Sequence, residues 1–196
     1  MSVGPAPSRA RLLELLVERS FQRRTVTLSA GGTSSFYLDC KQTALHAEGA
    51  WHLGHLLYAA VCELEAAAGL QCIGVGGMTL GADPLATATS LASVRTGRNL
   101  HAFIVRKEKK GHGTGAYVEG RANLPDGSPV ILLEDVVTTG NATLMALERV
   151  LEERLVPVGI VAIVDRLAGG VAALQRTGLP VTCLYTADDF PLDSTP

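Results

Sequence analysis

VILLEDVVTTGNAT, residues 130–143, is the stretch whose reading decides the fold. Val130–Leu133 is a β-branched and Leu run of the length expected for a strand buried in a parallel sheet. Two carboxylates, Glu134 and Asp135, cap that run. Thr138-Thr139-Gly140-Asn141 then opens a helix predicted to reach about Arg154. In an open parallel sheet, ligands gather beyond the carboxyl ends of the strands. Residues 136–142 offer that edge backbone N–H groups, two threonine hydroxyls and the positive end of a helix dipole, which together suit a phosphate. The neighbouring acids can accept hydrogen bonds from sugar hydroxyls or stand near Mg2+. An acid pair beside a phosphate cradle describes a ribose 5-phosphate site. An ordinary strand–turn–helix with Asp135 or Thr138 as N-cap leaves the combination of two acids, two threonines and a glycine unexplained.

On either side of this stretch, strands and helices alternate. Downstream come a buried strand at Val158–Val164 ending in Asp165-Arg166, a helix near Gly170–Arg176 and a strand at Val181–Leu184. Upstream lie the turn Pro125-Asp126-Gly127, a strand at Tyr117–Gly120 and another at His101–Val105. Before these, a helix at Pro84–Val94 has Asp83 as N-cap and Pro84 in its first turn. A short strand, Cys72–Val75, is expected to end at Gly76-Gly77, and a helix over Ala50–Ala68 to stop at Gly69. The first part of the chain predicts an amphipathic helix over Ser8–Phe21 with Ser8 as N-cap. Two short strands, Val26–Leu28 and Phe36–Leu38, then flank the small residues 29–35. The pattern is that of an α/β fold with a mainly parallel, doubly wound sheet flanked by helices.

The chain has 196 residues, which suits one domain spanning 1–196, and its 47% apolar content supplies one sizeable core. A net charge of −2 and 5% aromatics argue against nucleic acid as a partner, so any anion site must be local. No stretch approaches the roughly 20 apolar residues of a membrane helix, and Arg9, Arg11 and Glu14 interrupt the first apolar run, so no membrane association and a cytoplasmic location are expected. Cys40, Cys62, Cys72 and Cys183 lack CxxC spacing and read as reduced structural thiols. His52 and His55 share a helix face without a third ligand and read as structural. GxxxxGK[ST] is absent, and GVGGMTLG, residues 74–81, has Thr79 where the third glycine of a dinucleotide loop would stand.

VRKEKKGHGTG, residues 105–115, places Arg106, Lys107, Lys109, Lys110 and His112 within seven residues among Gly111, Gly113 and Gly115. As composition alone it describes a solvated, flexible charged loop. Beside a strongly anionic leaving group it would act as a cationic flap that neutralises developing charge and excludes water.

The 130–143 stretch resembles the phosphoribosyl pyrophosphate-binding motif of type I phosphoribosyltransferases: two acids, two apolar residues, then Thr-x-Gly, with Glu134 in the first acidic place. Residues 106–113 are similar to the RKxxKxHG loop of the orotate phosphoribosyltransferases, with Arg106, Lys107, Lys110, His112 and Gly113 in register. SAGGTSSFYLDCK, residues 29–41, resembles that family's N-terminal signature through Phe36, Tyr37, Asp39 and Lys41. The resemblance covers roughly residues 10–190. It implies a small hood from about residues 1–45, with a contribution from the C-terminal end as an option. It also implies transfer of phosphoribosyl from phosphoribosyl pyrophosphate to orotate, with Mg2+, in pyrimidine (UMP) biosynthesis.

Carried over residue by residue, the resemblance makes Lys110, His112, Lys107 and Asp135 catalytic. Arg106, Lys107, Lys110, His112, Glu134, Asp135, Val136, Val137, Thr138, Thr139, Gly140, Asn141 and Ala142 would bind phosphoribosyl pyrophosphate, and Gly76 and Gly77 would form the pyrophosphate loop. Phe36, Tyr37, Thr138 and Arg166 would hold orotate, and Glu134 and Asp135 would stand near the metal indirectly. The resemblance also implies a homodimer whose 106–115 loop crosses into the neighbouring site. Two departures are noted. Ser29, Ala30, Gly31 and Gly32 supply no cation, and Gly81-Ala82-Asp83 replace a basic residue common in relatives. They keep open a different nucleobase and an inactive phosphoribosyl pyrophosphate-binding subunit. A nucleotide-sensing regulator is a further alternative of the same fold, against which the retained RKxxKxHG loop and the acidic pI argue.

Overall fold

The computed structural model describes residues 5–27, 33–109 and 116–192. A six-stranded sheet runs in the order β5-β4-β3-β6-β7-β8. Its strands are β3 (Gly74–Met78), β4 (His101–Val105), β5 (Val118–Glu119), β6 (Pro129–Val137), β7 (Val156–Asp165) and β8 (Val181–Thr186). All neighbours pair in parallel except β4 with the short β5. The crossovers are helical: α4 (Asp83–Val94), α5 (Asn141–Glu152) and α6 (Gly170–Gln175). α3 (Ala47–Ala68) leads into β3.

Because helices lie on both faces, β6 and β7 are apolar without alternation, as buried parallel strands must be. Ile131, Leu133, Val161 and Ile163 pack toward α3 and α4. Val130, Leu132, Ile160 and Ala162 pack toward Ala146, Leu147 and Val150 of α5. On the first face sit α1 (Arg9–Arg19), the antiparallel pair β1 (Phe21–Thr27) and β2 (Thr33–Leu38), and the one-turn α2 (Lys41–Ala44). Leu12, Leu16, Phe36 and Leu38 join this part to the main core. Phe21 stacks on Phe190 at 5.8 Å, and Arg23 donates to the Pro191 carbonyl, so the last described residues close against it.

Several boundaries differ from the sequence reading for local reasons. β6 does not stop at Leu133. Its ladder with β7 continues through Glu134↔Ala162 to Val137↔Asp165, so both acids lie inside a strand. β3 likewise runs through Gly76-Gly77 to Met78 instead of ending there. A Cβ on Gly76 would stand 2.1 Å from the Phe103 carbonyl oxygen, and one on Gly77 2.1 Å from that of Leu133. These glycines let β3 sit between its neighbours. Ala82 rather than Asp83 occupies the N-cap of α4, and Asp83 is its first residue. α3 starts three residues early, because His46 accepts from Gly49 N–H. Gly69 ends it in the left-handed conformation, φ 65°. His52 accepts from Ser8 N–H and His55 bonds the Trp51 carbonyl, so both serve packing. Among the described residues no helix is long and apolar enough to cross a membrane.

Candidate active site

Side chains of a strand alternate between faces, and β6 separates its two acids accordingly. Glu134 points to the α5 side, where its Oε2 accepts from Thr143 Oγ1 at 2.7 Å. It is 7% exposed. Burial first, and then the charge of Asp135, push its carboxyl up to about 8. Near neutral pH it is therefore largely protonated, able to donate as well as accept. Asp135 points the other way. Its Oδ1 accepts from Val136 N–H at 2.8 Å, and a Cβ on Gly81 would stand 2.9 Å from that oxygen. The turn after β3 thus lies against the Asp135 carboxylate, and only glycine leaves it undisturbed.

Beyond β6 the chain turns at Thr138-Thr139-Gly140 into α5. Gly140 caps the helix at φ 81°, a conformation that favours glycine. A Cβ there would meet the Gly170 carbonyl at 3.1 Å, and a Cβ on Gly170 would meet the Thr138 carbonyl at 2.5 Å. The turn and the start of α6 therefore mesh backbone to backbone. The first-turn N–H groups of α5 have no carbonyl within the helix to bond. They face a cavity of about 270 Å³ lined by Glu134 and residues 136–143. Its size, amide donors and helix dipole suit a phosphate group.

Across this edge, β7 delivers Arg166. Its N–H bonds the Val137 carbonyl at 3.0 Å, continuing the ladder one residue past the strand. Asp165 Oδ1 accepts from Leu167 N–H at 2.8 Å and fixes the turn that follows. The Arg166 guanidinium lies 4.3 Å over the Phe36 ring and donates to the Phe36 carbonyl at 3.0 Å. Burial lowers its pKa, which leaves an arginine charged. Tyr37, on the opposite face of β2, packs instead under Arg24 at 4.4 Å. The aromatic pair is thus divided: Phe36 joins Arg166, and Tyr37 does not.

Arg106 follows β4 and pairs with Glu119 at 3.0 Å across the β4–β5 hairpin, and its N–H bonds the Tyr117 carbonyl. Lys107 is exposed. Lys110 and His112 lie outside the described residues, as do residues 28–32.

No protein-family model matches the chain. It is 45% identical to the orotate phosphoribosyltransferase of Sorangium cellulosum over 196 residues, covering 100% of both chains. It superposes on a crystal structure of Mycobacterium tuberculosis orotate phosphoribosyltransferase in complex with Fe(III) dicitrate with a TM-score of 0.77. That match has 35% identity and covers 95% of this chain and 99% of the other. A structure of the same enzyme with 5-phospho-alpha-D-ribosyl 1-diphosphate matches with a TM-score of 0.73 and 35% identity over 92% of this chain and 97% of that one. The chain belongs to the orotate phosphoribosyltransferase family.

For an orotate phosphoribosyltransferase, the fold assembles much of what the sequence singled out. Residues 136–142 line one cavity, Arg166 and Phe36 touch, and Asp135 faces the turn after β3. Gly76 and Gly77 lie buried within β3, one turn before that edge. The sequence reading missed Thr143, whose hydroxyl holds Glu134. The only signal for it was a third hydroxyl one helical turn after Thr139. It also passed over the setting of Lys41. Burial depresses that ammonium, but Asp39 at 2.7 Å and the field of Asp135 outweigh it, so its pKa is raised.

Proposed function

We propose that this orotate phosphoribosyltransferase divides its site along the edge of the sheet. The α5 turn, Thr138 to Ala142, holds the 5-phosphate, with Val136 and Val137 as the backbone leading to it. Glu134 and Asp135 address the ribose, and Arg166 with Thr138 holds orotate. A guanidinium has five donors in a plane, enough to serve both the Phe36 carbonyl and the coplanar acceptors of the base. The observation that carries this reading is the contact of Arg166 with Phe36 one residue beyond a strand whose neighbour ends in the phosphate turn. Tyr37 contributes through the shape of the hood, and Gly76 and Gly77 by bringing the turn after β3 to the pyrophosphate side.

In the reaction the bond from ribose C1 to a pyrophosphate oxygen breaks, a bond from C1 to a pyrimidine nitrogen forms, and that nitrogen gives up its proton. The side chains of Arg106, Lys107, Lys110 and His112 stabilise the leaving charge, and no covalent nucleophile is required. Among the described residues no three His, Cys, Asp or Glu side chains converge as a metal cage. Mg2+ would arrive with the substrate phosphates and be met by one or two carboxylates. Asp135 fits that part better than Glu134, whose carboxyl is engaged by Thr143 and held neutral. Bound there, Mg2+ would neutralise pyrophosphate charge.

We further propose a homodimer, which the apolar outer face of α4 supports. Leu91 and Val94 are 65% and 56% exposed, beside Trp51 with Arg95 over its ring. The composition fits a cytoplasmic enzyme.

Loss of the orotate ultraviolet signal in the presence of phosphoribosyl pyrophosphate and Mg2+ is the expected result. Folded protein that turns over adenine, hypoxanthine or uracil but not orotate would overturn the substrate assignment.

A further inference from the structure

α5 carries the phosphate turn at its first residue and reaches the root of the cationic loop at its last. Its 12 residues span about 18 Å. Two turns along it, Arg149 donates one guanidinium nitrogen to the Arg106 carbonyl and the other to the Lys107 carbonyl. The same guanidinium lies 4.6 Å over the Tyr117 ring and 3.7 Å from Met78 Sδ. Tyr117 stands on the returning side of the loop, and its N–H donates to Glu153 Oε1 at 2.9 Å, just past the end of α5. Lys109 Nζ lies 5.0 Å from that ring. Arg121 donates to the Glu153 carbonyl at 2.9 Å and steadies the acceptor. Both stems of the 106–117 loop are therefore fastened to one end of the helix whose other end forms the phosphate cavity.

We propose that Arg149 is a positioning residue for the reaction. It fixes the backbone of Arg106 and Lys107 relative to the bound phosphate, so that both side chains meet the leaving group in register. The argument rests on the functional reading above. β4 ends at Val105, and the Arg106 and Lys107 carbonyls leave the sheet there. One planar fork bridges two such carbonyls, whereas an ammonium is a single compact donor. Without the bridge, Arg106 and Lys107 must be positioned anew at each turnover, a cost that falls on the transition state rather than on orotate binding.

The test compares kcat, KM and Tm for the unsubstituted enzyme, Arg149→Met, Arg149→Lys, Lys107→Ala and Arg149→Met/Lys107→Ala. Arg149→Met should lower kcat about tenfold, with KM for orotate changed less than about twofold. Arg149→Lys should recover part of that loss. In the Lys107→Ala background the same Arg149→Met change should cost less than about threefold, because one of the two groups it positions is gone. An unchanged kcat, or an equal loss in both backgrounds, overturns the proposal. If Arg149→Met does not fold, Arg149→Lys decides: kcat equal to that of the unsubstituted enzyme overturns it. No turnover of orotate by the unsubstituted protein defeats the functional reading and the proposal together. Turnover there with an indifferent Arg149 defeats the proposal alone.

Discussion

At the residue scale, Glu134 and Arg166 make opposite uses of burial. Glu134 is neutral near pH 7 because a buried charge beside Asp135 is costly. A carboxyl whose folded pKa lies above its unfolded value binds more protons when folded, so the stability it gives is complete below about 4.5 and is lost as pH rises through about 8. Glu134→Gln, which keeps the bond to Thr143 but cannot ionise, should therefore gain Tm relative to the unsubstituted protein as pH rises from 5 to 9. A constant difference across that range would show that Glu134 does not titrate there. Arg166 stays charged and pairs its plane with Phe36. Arg166→Ala should raise KM for orotate by about tenfold or more, the size of a lost charge-assisted hydrogen bond. KM for phosphoribosyl pyrophosphate should move little. Arg166→Lys should not restore orotate binding, since an ammonium lacks the fork. Equal shifts in both KM values would remove Arg166 from the base.

At the scale of elements, β3 and the turn after it separate stability from activity. Gly77→Ala drives a methyl into the Leu133 carbonyl, a backbone atom that cannot step aside, and should lower stability by about 1–3 kcal/mol in denaturant unfolding. Gly81→Ala meets only the tip of Asp135. It should leave the unfolding midpoint nearly unchanged while kcat falls several-fold, because the displaced group is the carboxylate at the ribose. Loss of stability without loss of activity in Gly81→Ala would contradict this assignment. The same region shows what a sequence reveals and conceals. Val130–Leu133 and Val158–Val164 were readable as strands because buried parallel strands need unbroken apolar runs. Glu134, Asp135 and Gly76-Gly77 hid the strand ends, since acids and glycines ordinarily signal termination. Only a neighbouring ladder and close backbone packing keep them extended. The separation of Glu134 from Asp135, and of Phe36 from Tyr37, follows from strand alternation. It became predictable only once those residues were known to lie inside strands.

For the whole molecule, the order of the α/β units was legible because each apolar run announced its own element. The contacts that make the site were not, because Phe36 and Arg166 are 130 residues apart and meet through packing of the hood on the sheet. Whether the loop acts in its own site or in a partner's is a property of the assembly. Lys110→Ala and Asp135→Asn proteins should each be nearly inactive. If the loop serves the neighbouring site, an equilibrated equal mixture should recover about a quarter of full activity, since about half of the dimers are mixed and each carries one intact site. No recovery, with mixed dimers verified by mass, would place loop and carboxylate in the same subunit's site.

The meshing of Gly140 with Gly170 bears on inheritance. Each glycine turns its absent side chain toward backbone on the opposite segment, so neither position accepts a larger residue while the other segment stays in place. A lineage that altered its phosphate turn would have to rebuild the start of α6 in the same step, and with it the loop that begins at Arg166. Grip on the sugar phosphate and choice of base are thereby bound into one heritable block. Drift toward a new base has its open route through the hood, where the Phe36 and Tyr37 rings each meet an arginine side chain rather than a backbone atom of another segment.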